Sequence, residues 1–588
     1  MRLAHNPVVL VFFFGVLVLA TRLPLAPGQL FTFDDVNLAY SLGHYDIRIS
    51  QPHPPGYPLF VMQMRLLSWV RFKRPESILL VLALGGSLLA LLFAVAAGNR
   101  IFGGHSGFWA ALILLLAPPF WHAGITSALR VQLAVISLAV AYASWQAWTG
   151  NGAWVRRSAI ALAIGAGIRP ETGVLLFPLW AVSALRAPVD WAERRRALAC
   201  MAGVVAIWLI PAMIASGGPV NFVRANLDYI SDQGSVSSAL FGASESTWLR
   251  TFYRLLVWVF ASVIGLALPM VLAWRGRKAW EIGRSRLAFL ALWLAPAFAF
   301  ALNVHVEDPG QTLIMGVVVA LVGGYWIDRA LQSADMAVSR LFAPILVGAT
   351  FALVRVWEYP NDIWRMQWLA VTAIAVGLLM KLFRKKNQGY LPRWQSTMLV
   401  LVPLVYTSYT CFHHRGWYFR ASATTGIEAP LERAWADINS GFALTSFEQI
   451  QNTLAVDDQT IQQTRRLIAE GPANTVVVWE RGLTAWRKLG YYASGVRIFV
   501  LEHKQIRGGS PVVAVWQGAN NIGRREGPSP QSVTLPAGSR VIWLLNPRTE
   551  FPDLVKQQFS VAAAGPVYYT DLPAEDGSRL LGEYAIAW

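Results

Sequence analysis

Asp34 and Asp35 stand side by side just past the first apolar stretch, and His53-Pro54-Pro55-Gly56-Tyr57-Pro58 follows in the same loop. Adjacent carboxylates near a bilayer repel each other and lose hydration, so a pair of them asks for a use. In such a loop a carboxylate can act as general base on an acceptor hydroxyl, or can help to hold a divalent cation. One aspartate would also serve as N-cap of the amphipathic stretch that opens at Val36, which leaves the second to be explained by chemistry. His53 is read either as a partner of backbone carbonyls or as part of the site. The Pro-Pro-Gly turn is structural: proline fixes φ, and glycine permits close backbone approach.

Other polar residues out of keeping with their apolar surroundings complete the candidate set. Arg169 lies in Gly167-Ile168-Arg169-Pro170-Glu171, a break between two short apolar segments. Irregular backbone at membrane depth is tolerated where it lines a cavity. An arginine there suits a phosphate, because its planar fork donates two parallel hydrogen bonds; a structural pair with Glu171 is the alternative. His122 and Arg130 flank the turn Pro118-Pro119-Phe120-Trp121, and His305, Glu307 and Asp308 precede Pro309-Gly310. Asp34, Asp35, His53, Tyr57, Arg130, Arg169, Glu171 and His305 are therefore the candidate site residues. The stretch 229–245, with Asp228 and Asp232 near several Ser and Gly, reads as a longer loop able to cover a cavity.

The elements that must position these residues are apolar. The 588-residue chain is 55% hydrophobic and only 14% charged, against about 25% charged in ordinary soluble proteins. Its 26 Trp fit an interfacial aromatic belt. Windows of roughly 20 apolar residues suggest about thirteen spans, at 7–25, 77–98, 107–121, 131–149, 158–168, 173–185, 198–216, 252–274, 287–303, 312–328, 341–357, 364–383 and 396–412. The short pair 158–168 and 173–185 is either one long broken helix or two tilted ones. Residues 7–25 are read as an uncleaved first span rather than a signal peptide. Gln63 and Arg65 interrupt 57–72, which reads as an interfacial amphipathic helix.

Charge sets the expected orientation. Arg156-Arg157, Arg186 with Arg194-Arg195-Arg196, Arg275, Arg277, Lys278, Arg284, Arg286, Lys381, Arg384, Lys385, Lys386 and Arg393 fall on one side, whereas the loops 303–311 and 358–363 carry no Lys or Arg. The positive-inside rule makes the first side cytoplasmic. The N-terminus is then cytoplasmic, the C-terminal part is exported, and the candidate residues gather at the exported surface. The net charge of +17 is a topology signal on this reading, not a nucleic-acid footprint. Cys200 and Cys411 each sit in an apolar segment, which argues against a structural disulfide or a zinc cluster.

The chain divides into a membrane domain, 1–412, with a first exported loop at 26–76, and a soluble domain, 413–588. Short strands at 475–479, 496–501, 512–516 and 540–545, with a polar helix at 459–470, suggest a small α/β fold. It shows no phosphate fingerprint, metal spacing or nucleophile elbow, and reads as a substrate-shaping or stabilising appendage.

The acidic pair followed by His53-Pro-Pro-Gly-Tyr-Pro-Leu59, the Pro118-Pro119-Phe-Trp turn and the break at Arg169 resemble the C-type glycosyltransferase superfamily of membrane enzymes. The likeness, over residues 1 to about 412, is nearest to the protein O-mannosyltransferase and lipid A aminoarabinose transferase branch, and to bacterial membrane proteins with the same His-Pro-Pro-Gly-Tyr-Pro-Leu signature. The resemblance implies a polytopic helical fold in a bacterial inner membrane and a sugar donor carried on a polyprenyl phosphate. It implies transfer to a protein, lipid or glycan acceptor at the exported face, with inversion at the anomeric carbon. It maps the base onto Asp34 or Asp35 and offers Arg169 and His305 for the donor phosphate. The chain departs from related sequences at Pro309-Gly310-Gln311, where they often read Pro-Gly-Tyr. A transporter or flippase of lipid-linked sugars, or a non-catalytic assembly factor, are the rival readings. The first would place polar residues along the bilayer midplane, in inverted repeats.

Overall fold

Helix α1 (Pro7–Arg22) starts where Asn6, in an extended conformation, accepts hydrogen bonds from the amides of Val8 and Val9, with proline at the first helical position. It opens a computed structural model that describes residues 6–70, 72–242, 248–260, 281–306, 308–332, 447–480, 486–501, 514–516, 532–547, 549–581 and 584–588. The helices that follow are α2 (Phe33–Gly43), α3 (Pro58–Val70), α4 (Pro75–Phe102), α5 (Ser106–Leu115), α6 (Pro118–Thr126) and α7 (Ala128–Trp148). Then come α8 (Trp154–Ile168), α9 (Glu171–Arg186), α10 (Trp191–Ala215), α11 (Pro219–Ser237), α12 (Trp248–Phe260), α13 (Arg284–Asn303) and α14 (Leu313–Gln332). The chain forms two compact units: Met1–Ala26, Tyr57–Pro211 and Leu227–Ile450 make one, and Pro27–Gly56, Ala212–Asn226 and Gln451–Trp588 the other.

Wholly or mostly in the first unit, six helical segments among the described residues are long and apolar enough to cross a membrane: Pro7–Leu25, Pro75–Phe102, Ala128–Trp148, Trp191–Ala215, Arg284–Asn303 and Pro309–Arg329. A seventh results if α5 and α6, bent by 62° at Leu116-Ala117, count as one span. These match the expected spans at 7–25, 77–98, 107–121, 131–149, 198–216, 287–303 and 312–328. The expected spans at 341–357, 364–383 and 396–412, Glu307 and the 412/413 boundary lie outside the described residues, as does the end of 252–274. The pair 158–168 and 173–185 proves to be two helices, α8 and α9. The expected amphipathic helix at 57–72 is α3.

Helix α4 packs on α5 and α7, α14 packs on α5, and α7 packs on α8 and α9. Small residues set the closest approach: a Cβ on Gly98 of α4 would lie 2.8 Å from the amide nitrogen of Gly107 in α5. Two polar contacts inside this unit join different helices. The side chain of His105 does not cap α5, and Asp328 of α14 accepts from the His105 amide at 3.0 Å instead. Trp293 donates to the Ser137 hydroxyl at 2.7 Å, both buried. The stretch 229–245, expected as a loop, is helical as far as Ser237. Pro219 after Gly217-Gly218 is an ordinary helix start, so the polar content belongs to an amphipathic helix instead.

In the second unit a six-stranded sheet runs in the order β3-β2-β1-β5-β7-β6, with β1 (Val476–Glu480) parallel to both β2 (Arg497–Leu501) and β5 (Arg540–Leu544). The strands β3 (Ala514–Trp516), β6 (Ala562–Ala564) and β7 (Val567–Asp571) add antiparallel edges. A second sheet joins β4 (Ser532–Thr534), β9 (Tyr584–Ala587) and β8 (Ser578–Leu581). Every residue of β1 is buried because both faces of the sheet are covered. Val477, Trp479, Ile542 and Leu544 pack with Leu467 of α15 (Phe447–Glu470) and Leu489 of α16 (Trp486–Tyr492). Val476, Val478 and Trp543 pack with Phe551 and Val555 of α17 (Phe551–Gln558) on the other face. This is the expected small α/β fold.

Candidate active site

The carboxylates of the first loop have distinct environments despite being neighbours. Helix α2 begins at Phe33, capped by Thr32 rather than by an aspartate. The Thr32 hydroxyl accepts from the Asp35 amide at 3.0 Å, and Asp35 Oδ2 accepts from the Thr32 amide at 2.9 Å. This reciprocal box assigns Asp35 a structural task the sequence reading had given to an N-cap. Asp35 is buried, and among the described residues its Oδ1 has no hydrogen-bond partner. Burial pushes its pKa up to about 7, with the Asp34 charge adding to the rise; the Thr32 bonds and Lys488 oppose it. Asp34 is half-buried, and its Oδ1 lies 3.7 Å from Nδ1 of the buried His53. Asp34 is thus the carboxylate that water or a hydroxyl can reach.

His53 is held at the start of a tight turn in which the Gly56 amide donates to its carbonyl at 3.1 Å. Gly56 has φ +109° and lies against the Tyr45 hydroxyl, so a side chain there meets both a torsional and a steric barrier. Upstream, Asp46 clasps Arg48 through both carboxylate oxygens, at 2.6–3.1 Å. Within the same unit, Arg487 of α16 donates to Asn37 of α2, a contact that nothing in the local sequence signals.

The first unit holds the remaining candidates. Helix α8 stops because Arg169 is extended (φ −148°, ψ 99°) before Pro170, a conformation that proline favours in its predecessor. Arg169 is only 4% exposed; its Nε donates to Glu171 Oε1, while Nη1 has no partner among the described residues. Its guanidinium stands 6.0 Å from the ring centre of Tyr57, within cation–π range. Tyr57 itself has φ +47°, which is costly for an aromatic residue and belongs to sites whose surroundings over-determine it. Tyr57, Arg169 and Glu171 are therefore brought together. Arg130 at the start of α7 pairs with Asp308 at 2.8 Å and anchors the turn Pro309–Thr312. His305 is half-buried in the coil after α13.

Among the described residues no three His, Cys, Asp or Glu side chains converge as a metal ion would require. The donors present suit an anion at Arg169 and proton transfer at Asp34.

No protein-family model matches the sequence, and no curated protein matches it. Solved structures do. ArnT from Cupriavidus metallidurans in the apo state superposes with a TM-score of 0.56 at 15% identity, over 96% of this chain and 98% of that one. The same protein bound to undecaprenyl phosphate gives 0.51 at 16% identity, over 96% and 97%. An oligosaccharyltransferase of Archaeoglobus fulgidus tethered with an acceptor peptide gives only 0.34, at 12% identity over 73% and 58%. The protein is thus an α-helical polytopic membrane protein of GT-C-like fold, with a C-terminal α/β domain. In particular, its fold is similar to that of ArnT, with 96% of the chain aligned.

Proposed function

We propose that the protein is an inverting membrane glycosyltransferase that moves a sugar from a polyprenyl-phosphate donor to an acceptor hydroxyl or amine at the exported face of a bacterial inner membrane. The observation that carries the reading is the agreement of fold over 96% of the chain with ArnT, including its undecaprenyl phosphate-bound form. The open carboxylate of Asp34 and the buried cation of Arg169 supply the chemical groups such a transfer needs.

Asp34 takes the proton of the acceptor as its heteroatom attacks the anomeric carbon. The bond from that carbon to the phosphate oxygen breaks, and the phosphate leaves with the electron pair. Inversion follows from attack on the face opposite the leaving group. His53, beside Asp34, orients the carboxylate. Arg169, fixed by Glu171 and lying over the Tyr57 ring, with Nη1 unpartnered among the described residues, has the chemistry to bind the phosphate of the donor. No nucleotide-binding fold is needed, because the lipid carries the activated sugar. Asp35 keeps the loop in shape through its cap.

The test compares lipid-linked sugar pools and surface glycans in cells with the gene, without it, and with Asp34→Asn. Accumulated donor with loss of one surface glycan, in both the deletion and the variant, is expected. Unchanged pools and glycans in both strains overturn the reading. Donor trapped only on the cytoplasmic leaflet would instead mark a flippase.

A further inference from the structure

The C-terminal α/β domain has no ligand-binding fingerprint, yet its sheet has a place where such folds take ligands. In open α/β sheets that place lies beyond the carboxyl ends of parallel strands, where connections to the two neighbours diverge. Here β1 has parallel neighbours on both sides, β2 and β5, and α16 follows the carboxyl end of β1. The chain's own first loop packs against α16.

Three positions of α2 meet α16 or its flanks: Phe33 stands edge-on to Trp486, Asn37 accepts from Arg487, and Tyr40 stands edge-on to Tyr491. Spacings of four and three put them on one helical face. Asp34, one residue past Phe33, points off that face by about 100°. Leu30 adds a bond from its amide to the Tyr492 hydroxyl at 2.8 Å, and Gln29 donates to Asp458.

Arg487 is the centre of this contact. It is 2% exposed, and Asn37 is fully buried. Its Nε donates to Asn37 Oδ1 at 2.8 Å, and Nη2 lies 3.4 Å from the carbonyls of both Ile49 and Ser50. Its guanidinium covers the Tyr40 ring at 4.7 Å. Burial lowers its pKa only to about 10, so it is cationic at neutral pH. One side chain thus ties together two arms of the loop. The first arm, α2, carries Asp34. The second, the turn ending at Ser50, leads within three residues to His53.

We propose that Arg487 is a positioning residue for the Asp34–His53 pair, and that the α/β domain serves as the clamp that holds the reactive loop in register. The activity part of this inference rests on Asp34 being the base; the structural part does not. Losing the guanidinium would leave the buried Asn37 oxygen and the half-buried carbonyls of Ile49 and Ser50 without this donor, which loosens the loop without opening the sheet.

Two readouts keep the two parts separate. The first is hydrogen–deuterium exchange of the full-length protein in Arg487→Ala, Arg487→Lys and Asn37→Ala. Peptides across 33–53 are expected to exchange about tenfold faster in Arg487→Ala and Asn37→Ala, with a smaller change in Arg487→Lys. Peptides of β1 and β5 should keep their protection. The second is transfer kinetics, with lipid-linked donor extracted from cells lacking the gene. Here kcat should fall about 10- to 100-fold in Arg487→Ala while the donor KM stays within about twofold, and the double variant Asn37→Ala/Arg487→Ala should be no worse than the poorer single one. Unchanged exchange in 33–53 overturns the clamp, as does loss of protection throughout the domain, which would make Arg487 a plain stability residue. A kcat unchanged where exchange rises overturns the positioning role. If Asp34→Asn proves fully active, the function reading fails, and the exchange arm still decides the clamp.

Discussion

Arg169 in the helical unit and Asp34 in the loop-bearing unit are the two groups on which the proposed reaction rests, but they are held in opposite ways. Arg169 is arranged locally. Its backbone break comes from the next residue, Pro170, and its partner Glu171 is two positions away. Asp34 is arranged at long range. Its neighbour His53 is brought back by a turn, and the helix that carries it is gripped by Arg487, 450 positions beyond Asn37. Local arrangement survives wherever the helices pack. Long-range arrangement depends on a second domain being folded and in place, and so offers a point at which activity can be lost without loss of fold.

The largest expected effect breaks the contrast at its reactive end. Asp34→Asn should lower transfer by about 10²- to 10⁴-fold, the range of general base catalysis, while Asp35→Asn should retain activity within about tenfold because an amide oxygen can still accept from Thr32. Rates of both purified variants decide between the two aspartates, and the reverse order would make the buried carboxylate the base. Next, Arg169→Lys keeps the charge but loses the fork. It should weaken donor binding by about 10- to 100-fold, in line with roughly 1.5–3 kcal/mol for a hydrogen bond to a charged group, read as a rise in donor KM with the acceptor KM unchanged.

A third effect sharpens the role of Asp35. Its pKa rises from an ordinary 3.8 to about 7 in the folded loop. Below pH 3.8 both states carry the protonated acid, and burial imposes no ionisation penalty. Between that pH and about 7 the unfolded chain releases its proton while the folded one keeps it, so stability falls as pH rises and levels off above 7. Thermal unfolding should therefore occur at a lower temperature at pH 8 than at pH 5, and Asp35→Asn should flatten that difference. The smallest effect on rate concerns Arg130 and Asp308. Arg130→Ala should cost about 1–3 kcal/mol, as for a charge-assisted hydrogen bond of a mostly buried side chain, seen as a drop in unfolding temperature with little change in rate; a large rate loss would return Arg130 to the substrate site.

Much of the helical unit was legible because hydrophobic spans and helix-breaking residues act over a single stretch of chain. The windows at 77–98 and 131–149 foretold α4 and α7 to within a few residues, and Gly167 to Pro170 foretold the break between α8 and α9. The errors arose where polar residues have two uses. Ser and Gly in 229–245 read as a loop, although Pro219 had already signalled the helix that runs to Ser237. Asp34–Asp35 read as a cap plus a reactive group, whereas Thr32 took the cap and Asp35 closed the box. Thr32 followed by Asp at the third helical position is a capping signature, so that signal was present. Arg487 carried none: in Trp486-Arg487-Lys488 it looks like any arginine on an exposed helix.

From the amino-acid order alone came the apolar helices, the kink at Pro170, the α/β character of the C-terminal region and the presence of an acidic loop, since each depends on interactions within one turn or one strand. Tertiary structure alone decided which aspartate is buried, which is open to water, and that a cation from the far end of the chain closes over α2. Burial and pairing across hundreds of residues depend on where the backbone returns in space, and no spacing along the chain encodes that.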